Sequence, residues 1–234
     1  MTIHYDQENT KIRWLGYFDL LGTKDLLLSK DICKVFSAYK VALEKLESWK
    51  ERHVCVSYSW FSDTFIIYTE NESSESFAAI EMVCRWFVFS LIREKIPVRG
   101  ALSCGDFYVD EINKIFLGKA LLDAYEYGEN QDWIGFMLAP SSIERLAEIF
   151  LPIEERLNYC YYDIPFKKSI DPSVKCAAFM LGNLVLYRNG KNPILEKLEE
   201  MLKVQSDIRI INKYQKTIKF IHEKMRIPGA PISG

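Results

Sequence analysis

The sequence predicts an α+β domain with a ferredoxin-like or palm-type βαββαβ core and a C-terminal helical extension. Three observations predict it. Short β-like apolar runs alternate with two long stretches of helical periodicity in that order. Two aspartates, Asp19 and Asp63, each sit in or at the end of such a β-like run, far enough apart for a strand, a helix and a returning strand. The chain has 234 residues, 49% of them hydrophobic, which suits one domain of ordinary size with a substantial core.

Lys11 to Leu21 reads as a buried strand, with Ile12, Trp14, Leu15 and Phe18 among its apolar members. Gly22-Thr23 then opens a helical region. From about Asp31 to Arg52, Phe36, Tyr39, Leu43 and Leu46 recur at helical spacing. Val54 to Ser59 and Thr64 to Thr69 read as strands joined through Phe61-Ser62-Asp63, a hairpin. The polar stretch Asn71 to Ser76 leads into a helix from Ser76 to Glu94, which Pro97 ends. Val98 to Cys104 is a strand, Gly105-Asp106 a turn, and Phe107 to Val109 a second short strand. Ile115 to Leu117 continues this meander. Ala120 to Tyr127 is a short helix, Ile134 to Leu138 a strand, and Pro140 starts a helix to about Phe150. Beyond that, Asn158 to Ile164 and Cys176 to Tyr187 are extended in part. Asn192 to Met225 is helical, with Leu195, Leu198, Leu202, Ile208, Ile211, Ile218 and Ile221 as core positions.

Composition excludes several classes. Net charge is −2, from 30 basic and 32 acidic residues well mixed, so no basic stripe points to nucleic acid. Six scattered Cys without CxxC spacing and three scattered His argue against a zinc site. The apolar stretch Phe77 to Ile92 contains Glu81 and Arg85 and is too short to span a membrane. A polar N-terminus without a signal peptide and free thiols imply a cytoplasmic protein with no direct membrane association. In Ser103-Cys104-Gly105 no His lies nearby, so a nucleophilic Cys is not supported.

The chemistry centres on Asp19, in Tyr17-Phe18-Asp19-Leu20-Leu21-Gly22, and Asp63, in Tyr58-Ser59-Trp60-Phe61-Ser62-Asp63-Thr64. A carboxylate among buried strands is costly unless paired, and a metal ion is the usual partner. The alternative is a pair of structural carboxylates capping turns. Leu21-Gly22-Thr23 follows a strand and opens a helix, so its amides can face a phosphate. It equally reads as an ordinary strand-to-helix turn with Thr23 as N-cap.

These motifs resemble the class III nucleotidyl cyclase catalytic domain. Phe18-Asp19-Leu20-Leu21-Gly22 looks like its first metal-binding motif and Ser62-Asp63 its second. Val98-Arg99-Gly100-Ala101-Leu102-Ser103-Cys104-Gly105-Asp106 resembles its third strand and turn. Gly118-Lys119-Ala120-Leu121-Leu122-Asp123-Ala124 resembles the start of the following helix. The resemblance covers roughly residues 12 to 140. Within the family the chain is most similar to the stand-alone pyrimidine cyclases of Pycsar anti-phage systems. They share the Phe-Ser-Asp form of the second motif and the run from Gly118 to Glu126 before Asp132-Trp133-Ile134-Gly135.

The resemblance implies a cyclase core over residues 1–150, with residues 151–234 as a strand-and-helix extension packed on it. It implies conversion of UTP, or less favourably CTP, to a 3′,5′-cyclic nucleotide and pyrophosphate. The product would act on a separate cyclic-nucleotide-binding effector in anti-phage defence. Two Mn²⁺ or Mg²⁺ ions per site would be held by Asp19, Asp63 and the Leu20 carbonyl. Arg99 would grip the triphosphate with Leu21, Gly22 and Thr23, unless it forms a salt bridge to Asp106 or another strand-end carboxylate. The site would lie at a homodimer interface. The Lys and Asp that read adenine are replaced by Ser59 and Ile115, and the guanine-reading pair is absent too. That favours a pyrimidine read by Tyr58 or Ser59, Tyr58 being otherwise a packed strand residue. The family's transition-state Asn and Arg are missing, their places held by Leu122 or Asp123 and by Glu126. The alternatives are a purine cyclase, an inert nucleotide-binding sensor, and a palm-type polymerase or oligonucleotide synthetase.

Overall fold

Strand β1 (Thr10–Leu20) is the spine of the molecule because β4 pairs it from Thr10 to Leu20 and β3 pairs its other edge from Leu15 to Asp19. The computed structural model describes residues 9–22, 32–51, 55–149, 153, 158–171, 173–181 and 192–224. After β1 come α1 (Ile32–Lys50), β2 (Val56–Phe61), β3 (Thr64–Thr69), α2 (Ser74–Arg93) and β4 (Val98–Asp110). They are followed by β5 (Ile115–Leu117), α3 (Lys119–Asn130), β6 (Gly135–Leu138) and α4 (Pro140–Glu148). The chain continues through β7 (Tyr159–Tyr161), β8 (Ala177–Phe179), α5 (Pro193–Lys203) and α6 (Ile208–Lys224). The sheet order is β2-β3-β1-β4-β6-β8-β7, with β5 paired to β4. Its first four strands are each antiparallel to the next, the arrangement of a βαββαβ core, and among the described strands only the β4–β6 pair is parallel.

Alternation along β1 sorts its side chains between two cores. Trp14, Phe18 and Leu20 face α1 and α2, joining Leu46, Phe77 and Phe87. The buried Phe18 ring lies 5.1 Å from Phe87 and 5.3 Å from Phe136. Leu15 and Tyr17 face the other way, toward Ala120 and Ala124 of α3. Ala120, Ala124 and Gly128 form the buried stripe of α3. A Cβ on Gly128 would stand 2.6 Å from the Tyr17 ring, so small residues let this helix lie close on the sheet.

Several elements depart from the sequence expectation. Gly105-Asp106 is no turn: β4 runs unbroken, with Gly105 opposite Arg13 and Asp106 opposite Ile12. Pairing to β1 outweighs the local turn preference, and Gly105 packs against α3, where a Cβ would meet the Ala120 amide at an ordinary contact distance of 3.5 Å. The C-terminal helical stretch is two helices, because the Asp207 side chain accepts from the Arg209 amide at 2.8 Å and starts a new one. The buried stripe of α6 is Tyr214, Thr217, Phe220 and Ile221, whereas Ile208 is 65% exposed. On α1, Ala42 and Leu46 are buried but Phe36 is 69% exposed. Strand β2 begins at Val56, β8 spans only Ala177–Phe179, and Leu181 is followed by residues outside the description. Among the described residues no helix is long and apolar enough to cross a membrane.

Candidate functional site

Asp19 lies at the C-terminal end of β1, opposite Thr64 of β3 and Arg99 of β4. Asp63 immediately precedes Thr64. Its carbonyl accepts from the Leu20 amide at 3.0 Å, so the topology brings both aspartates to one end of the sheet. Ser62 and Asp63 are the two-residue connection between Phe61 and Thr64, with Ser62 at φ 55°. On the other side the Leu21 amide donates to the Pro97 carbonyl at 2.8 Å. The strand end carrying Asp19 is therefore tied to both neighbours.

Asp19 is 8% exposed and Arg99 5%. Arg99 sends Nε (2.9 Å) and Nη2 (2.7 Å) to the same oxygen of Asp19, Oδ2. Its Nη2 also reaches Glu129 Oε2 at 2.5 Å, and Nη1 donates to the Gln131 carbonyl at 3.1 Å. Glu129, near the end of α3, accepts at Oε1 from the Tyr17 hydroxyl, 3.1 Å away. Burial raises the Asp19 pKa to about 7; Arg99 opposes the rise, while the charges of Glu129 and Asp63 add to it. Tyr39 of α1 is held up first by burial and then by the Asp63 charge, which places it beside the Ser62–Asp63 turn.

Asp19, Leu20, Asp63 and Arg99 thus come together. The carboxylate that Arg99 takes belongs to Asp19 and Glu129, not to Asp106. Of the three residues expected to present amides to phosphate, the Leu21 amide is committed to Pro97. Gly22 has φ 83° and nothing within 4 Å of where a Cβ would stand, and Thr23 lies outside the described residues. Tyr58 and Ser59, adjacent on β2, point to opposite faces. Tyr58 packs against the core that α1 and α2 cover and donates to Glu47 Oε2 at 2.6 Å. Ser59, opposite Ile66, shares the face of Thr64 and Asp19. Ile115 lies in β5 at the far end of β4, opposite Asp110. Leu122 is exposed, and Asp123 is hydrogen-bonded to the Ser141 hydroxyl. Glu129, Tyr17 and Tyr39 were not found by sequence reasoning. Nothing in their local pattern distinguishes them from ordinary helix and strand residues.

The donors fit a divalent cation of the Mg²⁺ or Mn²⁺ kind. They are hard carboxylate oxygens, and Arg99 takes only Oδ2 of Asp19, leaving Oδ1 outside that pair. Among the described residues no group of three or more His, Cys, Asp and Glu forms a metal cage. The set therefore suits ions that share phosphate oxygens with a substrate rather than a fully protein-ligated ion.

No family model matches the chain, and no curated protein matches it. Solved structures do. The catalytic core of a rhodopsin-guanylyl cyclase with converted specificity, in complex with ATPαS, is similar with TM-score 0.56 and 9% identity over 72% of this chain and 94% of that one. An adenylate cyclase of Trypanosoma brucei in its monomeric state gives TM-score 0.53 and 13% identity over 78% and 94%. The guanylate cyclase domain of a Catenaria anguillulae protein in complex with GTP gives 0.54 and 10% over 72% and 94%. The fold is that of a class III nucleotidyl cyclase catalytic domain. At these identities the similarity concerns the cyclase fold. Asp19, Asp63 and Arg99 are positioned within it by this chain's own β1, β2–β3 turn and β4.

Proposed function

We propose that this protein is a nucleotidyl cyclase that converts UTP to 3′,5′-cyclic UMP and pyrophosphate. The observation that carries the reading is the convergence of Asp19 and Asp63 at one end of the sheet beside the buried Arg99. In the reaction the ribose 3′-oxygen bonds to the α-phosphorus, the bond from that phosphorus to the α,β-bridging oxygen breaks, that oxygen leaves with pyrophosphate, and the 3′-hydroxyl proton passes to solvent. Bound divalent ions would supply activation of that hydroxyl and neutralisation of the leaving pyrophosphate. Asp19, Asp63 and the Leu20 carbonyl would hold them. Arg99 contributes a guanidinium suited to phosphate oxygens, and Gly22 leaves the backbone open to close approach.

Ser59 takes the base contact, because it shares the face of Asp19 and a small hydroxyl cannot reproduce the adenine-reading Lys. Tyr58 serves to bind the β2–β3 hairpin to α1 through Glu47. A homodimer is supported by exposed apolar side chains around this face: Phe61 at 85%, Leu122 at 69% and Tyr125 at 53%. Cyclic UMP would then signal to a separate effector in anti-phage defence, a role that rests on the resemblance of the sequence motifs.

A second reading, an inert nucleotide-binding sensor, is favoured by two facts. Asp123, where the resemblance would place a donating Asn, is a carboxylate that accepts from the Ser141 hydroxyl, and Arg99 is engaged by two carboxylates. Incubation with each of the four nucleoside triphosphates and Mn²⁺, with identification of products, separates the two. Cyclic UMP supports the cyclase, cyclic CMP moves the assignment to a cytidylate cyclase, and nucleotide binding without product supports the sensor.

A further inference from the structure

The segment after α4 delivers lysines to the end of the sheet where Asp19 and Arg99 lie. The Lys167 amide donates to the Asn130 carbonyl at 2.7 Å, fixing this residue at the end of α3. Its Nζ is 3.7 Å from Glu129 Oε2, the oxygen that Arg99 holds. Lys213 and Lys216 project from α6, and both pair with Asp132, Lys213 at 3.4 Å. The helix is anchored there by Thr217, whose buried hydroxyl bonds both the amide and the carbonyl of Ile134 at 2.9 Å. Asp132 follows Gln131, whose carbonyl binds Arg99.

The cluster is electrostatically continuous. Burial lowers the pKa of Lys167 and of Lys213, and in each the next cause is repulsion from Arg99, with attraction to Asp19 also felt. The Lys213 side chain is only 17% exposed. Four cations (Arg99, Lys167, Lys213 and Lys216) here face Asp19, Glu129 and Asp132, with Asp63 beside Asp19. If Asp19 and Asp63 are both committed to divalent cations, the remaining balance leaves the cations in excess. Partly buried cations in excess call for an anion, and ammonium groups bind phosphate as point charges.

We propose that Lys167 and Lys213, from the C-terminal extension, bind the β- and γ-phosphates of the nucleoside triphosphate together with Arg99. The proposal rests on the nucleotide-binding reading above and assigns that site residues the sequence motifs do not contain. Lys216 also pairs with Asp132, so that carboxylate keeps a cation when Lys213 turns to phosphate.

The test uses the full chain and two probes, inorganic tripolyphosphate with Mg²⁺ and UMP, titrated by calorimetry. Lys213→Met and Lys167→Met should each weaken tripolyphosphate binding about 10-fold, leave UMP binding unchanged, and keep the wild-type thermal transition. Lys213→Arg should restore most of the lost affinity. Tripolyphosphate binding within about 2-fold of wild type in both Met variants would overturn the proposal, as would a wild type that does not bind tripolyphosphate. Lys167, on a different segment from Lys213, keeps the test decisive if Lys213→Met fails to fold. A wild type that forms a cyclic nucleotide while the Met variants bind normally defeats this inference alone. Lysine-dependent binding without any cyclic product defeats the cyclase reading and leaves the phosphate site standing.

Discussion

Replacing Arg99 by Met asks how much of the buried network depends on one guanidinium. Arg99 and Asp19 are 5% and 8% exposed, and Arg99 also binds Glu129 and the Gln131 carbonyl. Met keeps much of the aliphatic volume and removes the charge. Breaking one side of a buried ion pair typically costs about 3–5 kcal/mol. Here Asp19 has an escape, because it can take up a proton. Burial already raises its pKa to about 7 with Arg99 opposing the rise, so without Arg99 the value moves higher.

The sign follows from linkage. Between the unfolded Asp pKa of about 3.9 and the folded value, the folded state binds more protons, so stability falls as pH rises through that window. In Arg99→Met the window extends above the wild-type limit near pH 7. The deficit should therefore widen by up to about 1.4 kcal/mol per pH unit there. Below about pH 6 Asp19 is largely protonated in both proteins, and the remaining loss is the hydrogen bonds of Arg99 to Asp19, Glu129 and the Gln131 carbonyl, about 1–2 kcal/mol. Glu129 lies at the protein edge, with its side chain 30% exposed, and can turn to water. Urea denaturation in EDTA at about pH 6, 7 and 8.5 should show the deficit growing from about 1–2 to about 3–4 kcal/mol. Adding Asp19→Asn should abolish the pH-dependent part. A deficit that stays constant across this range would refute the reasoning.

Asp19→Asn and Asp63→Asn should each lower cyclase turnover at least ~100-fold while the far-ultraviolet spectrum stays native; wild-type rates in either would remove the metal assignment. Tyr58→Phe should lose its bond to Glu47, about 0.5–1 kcal/mol in denaturation, and leave nucleotide preference unchanged, whereas Ser59→Ala should shift kcat/KM among the four nucleotides. Thr217→Val should leave the Ile134 amide unsatisfied and cost about 1–3 kcal/mol, and tripolyphosphate affinity should fall with it as α6 loosens. Gly118→Ala puts a Cβ 2.2 Å from the Asp106 carbonyl oxygen at φ 148°, so a loss of at least about 1–3 kcal/mol is expected; a variant as stable as wild type would contradict the packing described for α3.

The core topology was legible because the strand runs around Asp19 and Asp63 and the helix of Phe77 to Ile92 have strong local periods. What escaped were features decided by contact with distant segments. Gly105-Asp106 carries turn chemistry, yet β1 pairs across it. The buried stripe of α6 is set by the Trp133–Phe220 contact, ring centroids 4.9 Å apart, and by Thr217, not by its isoleucines alone. Phe36 fits a helical stripe but lies on the open side of α1. In the site, Asp19, Asp63 and Arg99 announced themselves as charges among apolar strand residues. Glu129, Lys167 and Lys213 sit among mixed polar and apolar neighbours along the sequence and become distinctive only when the chain folds them around Arg99. Tyr58 and Ser59 looked interchangeable as neighbours, and the pleat separates them.

The most direct test of the central claim is the product formed from UTP with Mn²⁺ by the purified full chain, resolved against authentic 3′,5′-cyclic UMP. Cyclic UMP and equimolar pyrophosphate, both lost in Asp63→Asn, are the predicted result. A purine cyclic nucleotide as main product when all four triphosphates compete, or no cyclic nucleotide from any of them, would contradict it.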